Sequence, residues 1–110
     1  MSLPNSDNAV IDDAKIRDYL LSPEHPVGRF KAIFFNALGY SRADWGVLRA
    51  HLLELARAGI GIPQPAGAYG QKFEVSGTIT GPVGRTATIT TVWIIRTTED
   101  FPRFITAFPA

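Results

Sequence analysis

An α+β fold, with three amino-terminal helices packed on one face of a carboxyl-terminal antiparallel sheet of about three to four strands, is predicted by three features of the 110-residue chain. Apolar residues recur at helical spacing as far as Ala58. From Gln71 onward they alternate with polar residues at strand spacing. Between the two halves lies a glycine- and proline-rich stretch, Gly59 to Gly70. A chain of this length is the size of one core, so residues 1–110 are expected to form a single domain.

The first helix is expected to open at Asp12 and Asp13, whose carboxylates can accept from the free N–H groups of a first turn, and to run to about Leu21. Ile16, Tyr19 and Leu20 mark its apolar side. Pro23 and Pro26 lack the N–H that a helix interior needs, so Ser22 to Gly28 is a loop carrying Glu24 and His25. A second helix, Arg29 to Leu38, carries a broad apolar face of Phe30, Ile33, Phe34, Ala37 and Leu38, and Gly39 suits its carboxyl-terminal cap. Ser41 with Asp44 resembles a capping box and opens a third helix to about Ala58, with Trp45, Leu48, Leu52 and Leu55 as its buried stripe. Gly59 to Gly70 then reads as an irregular connection. Strands follow over Gln71 to Thr80, Gly84 to Thr97 and Arg103 to Pro109, the first two joined by a turn at Gly81 to Gly84 in which Pro82 presets φ. Val92 to Ile95 is apolar on both sides, as in a central strand covered on both faces.

Composition narrows the function. Eleven Lys and Arg against ten Asp and Glu leave a net charge of +1, so the chain as a whole exerts no pull on polyanions and any nucleic-acid contact relies on local clustering. With no cysteine, disulfides and thiolate metal sites are excluded, and a cytoplasmic location is the simplest expectation. Met1 to Asp7 has no basic segment followed by an apolar run, so no secretory signal is read there. No apolar stretch approaches the roughly 20 residues that span a bilayer, and no membrane association is expected. There is no phosphate-binding glycine loop and no His-Glu-x-x-His, and only two histidines are present, so neither a metal nor a cofactor is expected.

The candidate site residues are Lys31, His25, Thr91, Trp93 and Thr106. Residues two apart on a strand point to one side, so a Thr91 hydroxyl and a Trp93 indole N–H stand together; such a pair suits a phosphate or a base, and equally suits sheet packing. Thr106 is expected to share a face with Phe104 and Phe108 on the next strand, placing a second hydroxyl in apolar surroundings, where it bonds to backbone or faces a ligand. Lys31 lies among Phe30, Phe34 and Phe35; it either holds a phosphate or rests its stem on the aromatics as a surface lysine. His25, in the proline-bounded loop, is a candidate for acid–base work or a plain loop residue. His51 reads as a solvent-side neighbour of Glu54. Arg29 carries the same ambiguity as Lys31, and Arg85, Arg96 and Arg103 read as solubilising.

Six ordered segments carry a family resemblance across nearly the whole chain: Tyr19 to Gly28; Lys31-Ala32 with Phe34; Leu38-Gly39-Tyr40; Thr78, Thr80-Gly81-Pro82 and Gly84; Thr91-Val92-Trp93-Ile94; and Thr106-Ala107-Phe108-Pro109. They resemble a small bacterial family of unknown function whose members look like terminal domains of bacterial polymorphic toxins. The helices-then-sheet order is similar to that of the Barnase, EndoU, colicin and RelE group of ribonucleases. In colicin D, a member of that group, basic residues of a helix act with a hydroxyl residue and a tryptophan two positions apart on a strand. By that resemblance Lys31 matches a helix cation and Thr91 with Trp93 the strand pair. The helix histidine is replaced by Phe30, so His25 from the preceding loop would have to take the proton-transfer role.

These observations together lead to an expected metal-independent endoribonuclease-like toxin domain, in which a 2′-hydroxyl attacks its neighbouring phosphate. His25 would transfer a proton, Lys31 hold the phosphate, Thr91 and Thr106 donate hydrogen bonds, and Trp93 stack on a base. RNA is then the substrate, and a small immunity-type protein the cognate partner. The alternative is a non-catalytic interaction domain of a bacterial operon pair, which the near-zero net charge favours. A small-molecule binder using the open side of the sheet is a third expectation.

Overall fold

The computed structural model describes residues 3–110. After a 3-10 turn at Ser6–Asn8 come α1 (Asp13–Lys15), which runs on as a π-helical turn over Ile16–Leu20, then α2 (Gly28–Ala37) and α3 (Trp45–Ala58). Four strands follow: β1 (Gly61–Pro63), β2 (Gly70–Thr80), β3 (Thr86–Arg96) and β4 (Arg103–Pro109). The sheet is antiparallel throughout, in the order β1-β2-β3-β4.

Local chemistry accounts for most boundaries. Gly39, at φ 99°, takes the left-handed conformation that ends α2, as its position after the apolar run predicts. Ser41 Oγ accepts from the Asp44 N–H at 3.2 Å, although the helix itself begins only at Trp45. Gly81 N–H donates to Arg85 O at 2.8 Å and Gly84 N–H to Gly81 O at 2.9 Å, closing the predicted turn between β2 and β3.

Four expectations are corrected. Asp12, at the start of α1, makes no side-chain capping bond. The stretch expected to be irregular contains β1, three residues that pair with Phe73 to Val75 of β2; a strand this short leaves no alternation to read. Of the face predicted for the second helix, Leu38 is buried and Phe34 packs on the core, but Phe30 at 64% and Ile33 at 70% stay exposed, and Gly28, Ala32 and Phe35 are buried instead. Because α2 is apolar nearly all round, periodicity alone does not choose its inner side. Finally, Val92 and Ile94 are only half-buried, so the face of β3 that carries them is not covered as a two-sided core strand would be.

Register decides which side chains meet. Phe73–Trp93, Val75–Thr91 and Gly77–Ile89 are partners on one face, while Ser76–Thr90 and Thr78–Thr88 are partners on the other. Between β3 and β4 the register slips: Val92 pairs with Thr106, but Trp93 pairs with Phe104, leaving Ile105 as an extra residue. This bulge breaks the strict alternation of β4. One buried cluster joins Ile16, Leu20, Phe35, Leu48 and Leu52 of the helical half to Phe73, Val75, Ile89, Trp93, Phe104 and Ala107 of the sheet. The outer edge of β4 is covered in two places. Val10 exchanges backbone bonds with Pro102 and Phe104, both at 2.9 Å, and farther along Lys31 Nζ donates to Ala107 O at 2.9 Å. Among the described residues no helix is long and apolar enough to cross a membrane.

Candidate functional site

Thr91 and Trp93 do stand side by side, but inside the core. Both are 0% exposed; the Trp93 indole N–H donates to Thr91 Oγ1 at 2.8 Å, and that hydroxyl donates in turn to Val75 O at 2.8 Å. The pair satisfies itself against the backbone of β2, and Phe104 packs edge-on to the indole at 5.3 Å. An enclosed indole offers no face to a base, and an enclosed hydroxyl already bonded twice offers nothing to a phosphate. Among the described residues, the role that this geometry supports for the two is therefore structural.

Thr106 is displaced from them by the bulge. Had β4 alternated strictly, Thr106 would lie on the face of Phe104; pairing with Val92 instead puts it on the opposite face from Thr91, together with Phe108. There its Oγ1 lies 3.0 Å from the Tyr19 hydroxyl, and either oxygen can donate.

Tyr19 is the group around which the other candidates gather. It sits on the π-helical turn, where Leu21 N–H reaches back five residues to Ile16 O at 2.9 Å. Such turns are frequent at functional sites because the wider turn re-aims side chains. His25 packs edge-on against its ring at 5.0 Å. Lys15 Nζ lies 5.6 Å and Lys31 Nζ 5.9 Å from the ring centroid, and Lys31 also lies 5.5 Å from the ring of Phe108. Lys31, half-buried and anchored to Ala107 O, keeps further ammonium hydrogens for another acceptor.

His25 is held by the helix that follows it. Its Nδ1 accepts from the N–H groups of Gly28 at 2.9 Å and Val27 at 3.1 Å, capping the start of α2 in place of a Ser or Asp side chain. Two donors on Nδ1 put the ring proton on Nε2, which makes His25 a hydrogen-bond donor at its free nitrogen. Neither nitrogen is then set for the proton transfer that the sequence suggested: Nδ1 is engaged and Nε2 already carries its hydrogen.

Tyr19, His25 and Thr106 line one open cleft of about 650 Å³ together with Lys15, Asp12 and Asp18. The two carboxylates differ. Asp18 bonds Arg17 at 3.3 Å and Arg42 at 2.9 Å, and these guanidinium hydrogen bonds hold its carboxyl below the usual carboxylate range. Among the described residues Asp12 has only a distant ion pair, 3.9 Å, to Arg103. Three of the five sequence candidates, His25, Lys31 and Thr106, thus converge at Tyr19, and two, Thr91 and Trp93, do not. Sequence reasoning passed over Tyr19, Lys15 and Asp12 because it assigned them to an ordinary amphipathic helix. The one available signal was a phenol placed six residues before a loop histidine.

His51, read as a solvent-side residue, is half-buried, with Nδ1 2.6 Å from the Tyr40 hydroxyl.

A family model described as "Domain of unknown function (DUF6883)" matches residues 2–110. No curated protein matches the chain in sequence. Among solved structures, the chain is similar to a chain of a "Contact-dependent growth inhibition toxin - immunity protein complex from Klebsiella pneumoniae 342", with a TM-score of 0.71 and 21% identity over 96% of each chain. At that identity the likeness is one of fold.

Proposed function

The chain belongs to the DUF6883 family of domains of unknown function, and from that premise we propose that it is a toxin-type domain that cleaves RNA without a metal ion, a 2′-hydroxyl attacking the neighbouring phosphate. One observation carries the reading: His25, Lys31 and Thr106, drawn from a loop, a helix and a bulged strand, meet around Tyr19, and His25 and Thr106 line one cleft with it. The fold likeness to one chain of a toxin–immunity complex supports a place in a toxin–immunity pair, and the toxin role is the one that suits the site. It also supports a small immunity-type protein as partner.

In this assignment Lys31 and Lys15 bear the negative charge that grows on the phosphate oxygens. The Nε2–H of His25 donates to the same group, as does the one hydrogen left over by the bond between the Tyr19 and Thr106 hydroxyls. A neutral imidazole donating at one nitrogen while held at the other is an established way to stabilise charge without moving a proton. Of the carboxylates in the cleft, Asp18 is occupied by two arginines, so Asp12 accepts the 2′-hydroxyl proton as the 2′-oxygen bonds to phosphorus; the P–O5′ bond breaks, and the departing 5′-oxygen takes a proton from a water in the open cleft that protonated Asp12 resupplies. Thr91 and Trp93 hold β3 in place beneath.

The test is cleavage of transfer RNA and bulk RNA by the purified chain, without added metal and in the presence of a chelator. Lys31→Met keeps the packed stem and removes the charge; it is expected to slow cleavage roughly 100-fold or more, the size of effect seen when one preorganised donor to a developing charge is lost. RNA left intact by the wild-type chain would reject the nuclease and leave the second reading, a non-catalytic interaction domain. That reading is favoured by the exposed apolar side chains of α2.

A further inference from the structure

A stripe of Val27, just before α2, with Phe30 and Ile33 of α2 is left outside the core, the three side chains 58%, 64% and 70% exposed. Spaced by three, they lie along one side of the helix, each about 5–6 Å from the next. The stripe begins at the candidate site, because Val27 lines the same cleft as His25 and Tyr19. Its central member is an aromatic ring with a guanidinium over it: Arg29 Cζ lies 4.8 Å from the ring centroid of Phe30. Lys31 follows directly. From Val27 to Ala37 the segment contains Arg29 and Lys31 and no carboxylate, so the segment is locally cationic although the whole chain carries only +1.

An apolar stripe alone would suit many partners. The combination here is narrower: a flat ring with a guanidinium over it, on a helix whose next residue, Lys31, reaches the ring of Tyr19, and continuous through Val27 with the cleft that Tyr19 lines. A ligand that matches it must present flat, uncharged faces joined by negative charges. Single-stranded nucleic acid has that chemistry, since its bases stack on aromatic rings while its backbone follows the cations. Phe30 is exposed enough to receive a base, which the buried Trp93 is not.

We infer that Phe30, with Arg29 behind it, is a stacking platform for a nucleobase next to the phosphate held in the cleft, so that a single strand crosses the start of α2 on its way to Tyr19. This deepens the ribonuclease proposal and rests on it for the position of the phosphate. Stacking itself is a binding property and is measured apart from cleavage.

The probe is a short 2′-O-methyl oligoribonucleotide, which lacks the attacking hydroxyl and cannot be cut, with binding followed by fluorescence anisotropy at low salt. Phe30→Ala is expected to weaken binding roughly 5- to 150-fold, the range of one lost base–aromatic stack. Phe30→Trp should bind at least as well as the wild-type chain, with its indole emission quenched on binding. An abasic oligonucleotide of the same backbone should bind wild type and Phe30→Ala alike. If the 2′-O-methyl probe fails to bind, or binds wild type and Phe30→Ala equally, the inference is overturned. It is likewise overturned if Phe30→Ala impairs only capture of a protein partner. Phe30-dependent binding without cleavage of natural RNA upholds the platform and rejects the nuclease, whereas cleavage indifferent to Phe30 upholds the nuclease and rejects the platform.

Discussion

Thr91 shows how one hydroxyl in the core sustains two other groups. It receives the indole N–H of Trp93 and donates to Val75 O, with no solvent to replace either partner. Thr91→Val preserves the shape and strands the indole N–H, so unfolding in urea is expected to show a loss of about 1–3 kcal/mol. The double variant Thr91→Val, Trp93→Phe removes donor and acceptor together and should lose less than the sum of the single changes. Tyr40 gives a second prediction at this scale. Burial pushes its phenol up to about 12, above the ordinary value near 10. The native state therefore holds this proton more tightly than the unfolded chain, and the associated stability is complete below about pH 10 and is lost as pH rises toward 12. Thermal melts across that window should fall more steeply for the wild-type chain than for Tyr40→Phe. That Thr91 and Trp93 stand together was legible from their spacing of two. That they face inward was not, because alternation gives two faces without saying which one the helical residues cover.

At the level of elements, the site depends on how closely α2 approaches the π-helical turn. A Cβ on Gly28 would sit 2.0 Å from the carbonyl oxygen of Tyr19, inside any permissible contact, so only glycine lets the two segments meet there. Gly28→Ala must force them apart. We expect it to destabilise the fold by about 1–3 kcal/mol, as overpacking does, and to lower RNA cleavage in the folded fraction more than an exposed substitution such as Val83→Ala does. Denaturant titration and cleavage assays on the same samples check both. The helices, the β2–β3 turn and the three long strands could be read from apolar period, proline, glycine and capping chemistry, since each of those signals acts over a few residues. The π-helical turn could not, because it departs from the period used to find helices. The bulge at Ile105 was equally hidden, since it depends on how β4 meets β3.

Across the whole molecule, charge and shape separate. The overall balance of +1 argues against a nucleic-acid partner, yet folding brings Lys15 and Lys31 to the ring of Tyr19 and leaves Asp18 neutralised by arginines. Composition averages over positions, and only the tertiary arrangement shows where charge is uncompensated. The residues that converge on Tyr19 come from parts of the chain as far apart as His25 and Thr106. Sequence by itself determined the α+β class, the order of helices before strands and most element boundaries. All of these follow from preferences that operate between near neighbours. Only the tertiary structure decided that Trp93 is core, that Thr106 turns to Tyr19, that Phe30 faces outward and that Nδ1 of His25 is already engaged. Those outcomes depend on register, helix rotation and burial, which are settled by contacts between segments distant in the chain.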